Sequence, residues 1–282
     1  MLCLDKKEAL MLDGLQLEDI IKKVINDVKN EKDINITNKE NSCGHGIFTN
    51  IETAVDKAYE AQQTYNSHSL EERRNIISNI RKELLKYTEE MAEKTVAETK
   101  MGRIKDKILK NKLAIEKTPG VEDLGTEVFT GDDGLTLVEL SAFGVLGSVT
   151  PVTNPTETII NNTIGALAGG NSIVFCPHPS AKNICLWLIK KLNGIITEAG
   201  GPENLVTSAS EAKKENVDIL FSHEKINMLV ITGGTEIVKL ALKSGKKVIG
   251  AGAGNPPVIV DETADIEKAA KDIVKGAGID NN

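Results

Sequence analysis

The stretch from Val145 to Ser180 places two apolar runs on either side of a turn rich in proline, asparagine and threonine and a helical segment. This order of strand, loop, helix and strand predicts a βαβ unit, in which the two strands are parallel. The loop after the first strand of such a unit exposes backbone N–H groups to anionic ligands. A nucleotide is therefore the first ligand to consider.

Apolar runs and helical segments continue to alternate after this unit, with NLVTSA, INMLVITGG, KKVIGAGAG and PPVIVD as further strands. The alternation predicts an α/β fold with a doubly wound, Rossmann-type parallel sheet. N-terminal helices and a β-hairpin, which turns at residues 131–134, precede the sheet. The second of these helices is predicted to span residues 69–100, with Ser69 and Glu72 as its capping box.

Residues 17–28 carry apolar side chains at the spacing of one face of an amphipathic helix. This helix either docks on a partner or packs on its own domain. We predict four regions: an amphipathic helix region at 1–30, a polar linker at 31–48, helices and an oligomerisation hairpin at 49–143, and a dinucleotide-binding domain at 144–282.

A net charge of −7, a pI near 5.3 and an aromatic content of only 3% argue against a nucleic-acid-binding surface. The cysteines, at positions 3, 43, 176 and 185, lack the spacing of a metal site or a disulfide framework. No apolar stretch approaches the roughly 20 residues that cross a bilayer. We predict a cytoplasmic protein with no metal, nucleic-acid or membrane partner.

No GxGxxG fingerprint follows a predicted strand. The turn Thr232-Gly233-Gly234-Thr235 instead follows an apolar strand and opens a helix, so its N–H groups are candidates for binding a pyrophosphate. An ordinary tight connection is the alternative interpretation of this turn.

Four motifs occur in the order TPVTNPTETIINN, GNSIVFCPHPSAK, ITGGTEIVK and KKVIGAGAGNPPVIVDETADIEKA. Together they resemble the aldehyde dehydrogenase superfamily, in particular the CoA-acylating acetaldehyde and propionaldehyde dehydrogenases of ethanolamine and propanediol utilisation microcompartments. The resemblance covers about residues 50–282, the first half of a full-length member. It implies oxidation of a small aldehyde with NAD and CoA, and a homo-oligomer at full length.

The resemblance also implies roles for particular residues. Asn154 takes the place of the asparagine that stabilises the oxyanion, with Thr153 as an alternative for that role and an Asx-turn as the structural alternative. The implied cofactor-binding residues are Thr150, Pro151, Val152, Pro177, His178, Thr232, Gly233, Gly234, Thr235, Val238, Gly252 and Ala253. NAD is preferred over NADP because, apart from Lys182, no basic residue closely follows the strand before Pro177.

Three departures from the family pattern bear on activity. Cys176 replaces a ribose-binding lysine, and as the last residue of an apolar strand it is expected to be an inert, buried thiol rather than a nucleophile. Ala251 replaces the glutamate that activates water, which favours acyl transfer to CoA over hydrolysis. The family's nucleophilic cysteine, about 30 to 35 residues later, is expected beyond residue 282, with the catalytic domain missing.

We predict that the chain itself binds cofactor without turning over aldehyde. The alternative is a module without catalytic activity, either generic nucleotide-binding or docked to a microcompartment shell protein through residues 17–28. In that case the protein lies inside a bacterial microcompartment.

Overall fold

The computed structural model describes residues 42–252, 254 and 256–281. The chain divides into two units, Met1–Ser42 and Cys43–Asn282. The predicted amphipathic helix at residues 17–28 lies outside the described residues, as does most of the predicted linker.

The strands form one large sheet and one hairpin. The described strands are β1 (Ser42–Gly44), β2 (Ile47–Phe48), β3 (Glu127–Gly131), β4 (Gly134–Val138), β5 (Val145–Val149), β6 (Ser172–Cys176), β7 (Val206–Ala209), β8 (Ile226–Thr232) and β9 (Lys247–Ala251). The order in the sheet is β1-β2-β7-β6-β5-β8-β9, and the pairs from β2 to β9 are all parallel.

The register aligns the carboxyl ends of the central strands. Val149 of β5 lies opposite both Cys176 of β6 and Ile231 of β8. From β5 the chain proceeds outward to β6 and β7 and then returns to the other side of β5 for β8, so the strand order reverses between β5 and β8. This topology confirms the predicted doubly wound α/β fold.

Helices cover both faces of the sheet. They are α1 (Ile51–Tyr65), α2 (Leu70–Leu84), α3 (Thr88–Thr99), α4 (Ile104–Lys117), α5 (Pro155–Ala168), α6 (Lys182–Glu198), α7 (Lys214–Ser222), α8 (Thr235–Leu242) and α9 (Ile266–Ala277). Ile160 and Leu188 of α5 and α6 belong to the core on one face. Val55, Leu220 and Ala241 of α1, α7 and α8 belong to the core on the other. None of the described helices is both long and apolar enough to span a membrane.

The N-terminal part differs from the prediction at two places. Ile47 and Phe48 lie inside the predicted polar linker, yet they are 1% and 3% exposed and form β2, which pairs with β7. Two apolar residues suffice for such a short strand. The predicted 69–100 helix is broken by a 3₁₀ turn, Leu85–Tyr87, since Tyr87 leaves the helical region and its ring packs against Trp187. The predicted capping box of Ser69 and Glu72 is confirmed.

Two segments expose apolar surface. All ten strand residues of the β3–β4 hairpin are exposed, and the hairpin turns at Gly131 and Gly134 as predicted. Helix α9 has no buried residue.

The predicted strand PPVIVD, residues 256–261, is not a strand, because no described strand lies beside it to accept its hydrogen bonds.

Candidate functional site

A cleft of about 880 Å³ lies at the carboxyl ends of β5, β6, β8 and β9. Its position, where the strand order reverses, is the position at which α/β proteins bind nucleotides. Ten of the thirteen predicted site residues line it: Thr150, Pro151, Val152, Asn154, Pro177, His178, Thr232, Gly233, Gly234 and Gly252.

The other three predicted residues do not belong to the described lining. Ala253 lies outside the described residues. Thr235 is the first residue of α8 and does not line the cleft. Val238 packs on the adjoining core, and its Cγ1 would lie 2.8 Å from a Cβ at Gly250. The side of α8 that carries Val238 therefore faces β9 rather than the cleft.

The loop that follows β5 forms one wall. The Thr150 amide donates to the carbonyl of Cys176 at 3.3 Å, which ties the loop to the end of β6. Thr150 is 1% exposed, and Pro155 occupies the first turn of α5, where a missing N–H costs nothing. The loop thus leads directly from the sheet edge into a helix N-terminus.

The Asn154 side chain is held by the ammonium group of Lys110 rather than by a capping hydrogen bond to the helix. It makes no capping hydrogen bond to α5, so the Asx-turn interpretation is not observed. Its Oδ1 accepts a hydrogen bond from Lys110 Nζ. Because an ammonium group only donates, the amide oxygen must face Lys110, and the Nδ2 hydrogens point elsewhere. Asn154 therefore keeps a donor group at the cleft wall.

Cys176 and Cys185 are both buried, although Cys176 lines the cleft. Burial raises the pKa of the Cys176 thiol to about 12. Burial likewise raises the pKa of Cys185 well above its usual range, although a contact with the Thr150 hydroxyl acts in the opposite direction. A thiol becomes nucleophilic as the thiolate, so neither group is prepared for covalent catalysis.

His178 does not form part of a catalytic pair. Its Nδ1 accepts a hydrogen bond from the Ser180 amide at 3.1 Å, which caps the short 3₁₀ turn Pro179–Ala181. No hydrogen bond joins the ring to a cysteine or carboxylate in the part of the chain that the structure describes. The ring therefore lines the cleft as a turn-capping side chain.

The Thr232-Gly233-Gly234 turn forms the opposite wall. The Gly233 amide donates to the Ala251 carbonyl at 3.1 Å, which links β8 to β9. Gly234 caps α8 without any side-chain hydrogen bond, so the first N–H groups of α8 have no capping side chain. Such a helix N-terminus favours an anion such as a pyrophosphate.

The start of α7 forms a rim of the cleft that was not predicted from the sequence. Ala212, Lys213, Lys214 and Val217 line the cleft, and both lysines are exposed. The apolar spacing of Val217, Leu220 and Phe221 was the available signal for this short helix. The described lining contains no Asp or Glu, and no cluster of metal-ligating side chains occurs among residues that the structure describes.

The chain matches the model of the "Aldehyde dehydrogenase family" over residues 39–281. It is 52% identical over 239 residues to the "Propanal dehydrogenase (CoA-propanoylating)" of Citrobacter freundii, covering 85% of this chain and 52% of the relative. It is 48% identical over 238 residues to the "Acetaldehyde dehydrogenase (acetylating) EutE" of Escherichia coli K12, covering 84% and 50%. The chain thus spans about half the length of the curated relatives it matches.

Solved structures show the same similarity. The Rhodopseudomonas palustris propionaldehyde dehydrogenase, solved with bound CoA and an acylated cysteine, matches at a TM-score of 0.82 and 52% identity, over 84% of this chain and 55% of that one. The propionaldehyde dehydrogenase of the Clostridium phytofermentans fucose utilisation microcompartment matches at 0.82 and 48% identity, with the same coverage of both chains.

Proposed function

The chain belongs to the aldehyde dehydrogenase family, and from this premise we propose that its cleft binds NAD for a CoA-acylating aldehyde oxidation. The overall reaction is aldehyde + CoA + NAD⁺ → acyl-CoA + NADH + H⁺. The observation that carries the proposal is the convergence of ten predicted site residues on one cleft at the reversal of strand order. The names of the relatives, a CoA-propanoylating propanal dehydrogenase and an acetylating acetaldehyde dehydrogenase, support it.

Each wall of the cleft has a task in this proposal. The bound dinucleotide supplies the hydride acceptor. The Gly233–Gly234 turn and the N-terminus of α8 bind its pyrophosphate, while Lys213 and Lys214 attract the phosphates from the rim. Asn154 donates its amide hydrogens to the oxyanion that forms when a thiolate adds to the aldehyde, a contribution of about 3 to 4 kcal/mol in comparable sites.

CoA is the proposed acyl acceptor because the described lining offers no carboxylate to activate water for hydrolysis. Ala251 lines the cleft where hydrolytic relatives are expected to carry a glutamate, and no other carboxylate replaces it among the described lining residues. An acyl thioester that meets no activated water survives until a thiol attacks it.

NAD is proposed over NADP on the charges beside β6. Lys182, the first lysine or arginine that follows that strand in the sequence, pairs with Glu211 at 3.0 Å. A neighbouring carboxylate favours the ribose hydroxyl of NAD and disfavours a 2′-phosphate. Comparison of NADH and NADPH affinities tests this preference, and tighter NADPH binding would contradict it.

We further propose that these 282 residues bind the dinucleotide without turning over aldehyde. Cys176 and Cys185 are buried with raised pKa values, so neither of these two thiols is a suitable nucleophile. Aldehyde-dependent NADH formation by the purified chain would refute this part of the proposal.

Titration calorimetry with NADH tests nucleotide binding by the chain. The double variant Lys213→Ala/Lys214→Ala should bind about tenfold more weakly at low salt, with a smaller difference at high salt, because two rim charges are removed. The matched control is Lys190→Ala/Lys243→Ala, two exposed lysines outside the cleft. Equal affinities of the two double variants would argue against phosphate binding at this rim.

The second candidate function is docking to a microcompartment shell through residues 17–28, which would place the protein inside a microcompartment in the cytoplasm. The relative from the fucose utilisation microcompartment favours it. Ile20→Asp or Val24→Asp should abolish co-purification with a co-expressed shell protein, because each puts a charge on the apolar stripe. Lys23→Asp, on the polar side, is the control, and retained docking of the Ile20 and Val24 variants would refute the idea.

The exposed hairpin supports self-association. Phe129 and Leu135 are 59% and 69% exposed on β3 and β4. We propose that this surface serves homo-oligomerisation, and Phe129→Asp should then lower the mass measured by light scattering. A wild-type chain that is already monomeric would contradict this proposal.

A further inference from the structure

A buried ionic cluster lies beneath the loop that carries Asn154. Lys107 and Lys110, one turn apart on α4, both contact Oδ2 of Asp280, at 2.9 and 2.6 Å. Lys107 is fully buried, and the Asp280 side chain is 3% exposed. Charges buried to this degree are retained only where each has partners.

The same two ammonium groups hold the loop at successive residues. Lys107 Nζ donates to the main-chain carbonyl of Thr153, and Lys110 Nζ donates to Oδ1 of Asn154. One lysine thus fixes the backbone just before Asn154, and the other fixes the side chain of Asn154 itself.

Asp280 is itself firmly held. Its Oδ1 accepts a hydrogen bond from the Arg103 amide at 3.2 Å, and its own amide donates to Asp106 at 3.0 Å. Burial alone would raise the pKa of Asp280, but hydrogen bonds from Lys110 and Lys107 outweigh it and keep that pKa below its usual range. The carboxylate therefore remains charged and anchors both lysines.

We propose that Lys110, anchored by Asp280, is a positioning residue that orients the Asn154 amide with its NH₂ group toward the cleft and strengthens it as a donor. A reversed amide would bring its NH₂ group against an ammonium group, which has no acceptor. A charged donor on the amide oxygen also polarises the whole amide, so Nδ2 donates more strongly, by about 10 to 30% in cooperative hydrogen-bond chains. The inference rests on the proposed function of Asn154.

Nitrogen-15 spectra of the full chain, labelled at asparagine, test this proposal. The side-chain amide resonance of Asn154 is assigned by its loss in Asn154→Ala. Lys110→Met should move this resonance further than Lys110→Gln, which keeps a neutral donor, while Lys110→Arg should leave it near its original position. The matched control is Lys112→Met, an exposed lysine of the same helix.

An Asn154 resonance that does not move in Lys110→Met, even with a lowered Tm, would overturn the proposal, because a merely structural lysine changes stability alone. If Lys110→Met does not fold, an unmoved resonance in Lys110→Gln overturns it equally. NADH titration of the wild-type chain separates the two proposals. Absent binding would remove the proposed function, whereas the resonance would still decide whether Lys110 orients Asn154.

Discussion

The Cys176 thiol should be almost unreactive in the folded chain, although it lines the cleft. This can be measured with a thiol reagent on the variant Cys3→Ser/Cys43→Ser/Cys185→Ala, in which Cys176 is the one remaining cysteine. The reagent reacts with the thiolate, so the rate follows the thiolate fraction and the access to the sulfur.

The expected difference in reaction rate between the folded and the unfolded chain follows from the pKa of the Cys176 thiol. With the ordinary value of 9.0, about one-tenth of the thiol is ionised at a pH of about 8, whereas with the raised value of about 12 the fraction is about one in ten thousand. The folded chain should therefore react roughly a thousandfold more slowly than the unfolded chain. The 5% exposure of Cys176 slows access further.

The assay follows release of a coloured thiolate from a disulfide reagent, once in native buffer and once in concentrated guanidinium chloride at the same pH. Far-ultraviolet circular dichroism confirms that the triple variant is folded. Native reaction as fast as denatured reaction, or faster, would show that the pKa of Cys176 is not raised in the folded chain. It would refute the argument that Cys176 is not a nucleophile.

Three further predictions concern stability. Gly46→Ala should lower Tm several degrees more than Gly44→Ala. Both glycines have φ of +84°, but only a Cβ at Gly46 would clash, at 2.3 Å from the Val206 carbonyl and 2.4 Å from Asn193, which costs about 1 to 3 kcal/mol. Equal Tm values of the two variants would contradict this. Glu98→Ala should lower the free energy of unfolding by about 1 kcal/mol, because Glu98 accepts hydrogen bonds from two amides at the start of α6, at 2.8 and 2.7 Å. Glu93→Ala, at an exposed residue, is the control, and equal urea midpoints of the two variants would contradict the capping role of Glu98. Thermal stability should fall as pH rises from about 9 toward 12, since the buried thiols of Cys176 and Cys185 stay protonated only in the folded chain. A variant with alanine at both positions should show a flatter dependence of Tm on pH.

Local patterns predicted much of the fold. The apolar strands, the turn at Gly131–Gly134 and the Ser69–Glu72 capping box depend on residues close in sequence, and the structure has all three. The strand prediction for residues 256–261 was wrong because an apolar run forms a strand only beside a hydrogen-bonding neighbour. Helix α7 was missed because nine residues carry little periodic signal.

The site was predictable where it depends on loops and not where it depends on long-range packing. The loop after β5 and the turn after β8 could be recognised from their glycines, prolines and flanking strands. The support of Asn154 could not, because Lys110 and Asp280 are 170 residues apart. Val238 could not be assigned either, since only the packing of α8 on β9 shows which side of the helix faces the cleft.

A crystal structure of the chain grown with NADH would show directly whether the cleft binds the dinucleotide. We expect electron density for the dinucleotide along the carboxyl ends of β5, β6 and β8, with the pyrophosphate at Gly233–Gly234 and the nicotinamide toward Thr150–Val152. Density at any other place on the molecule, or an empty cleft under saturating NADH, would contradict it.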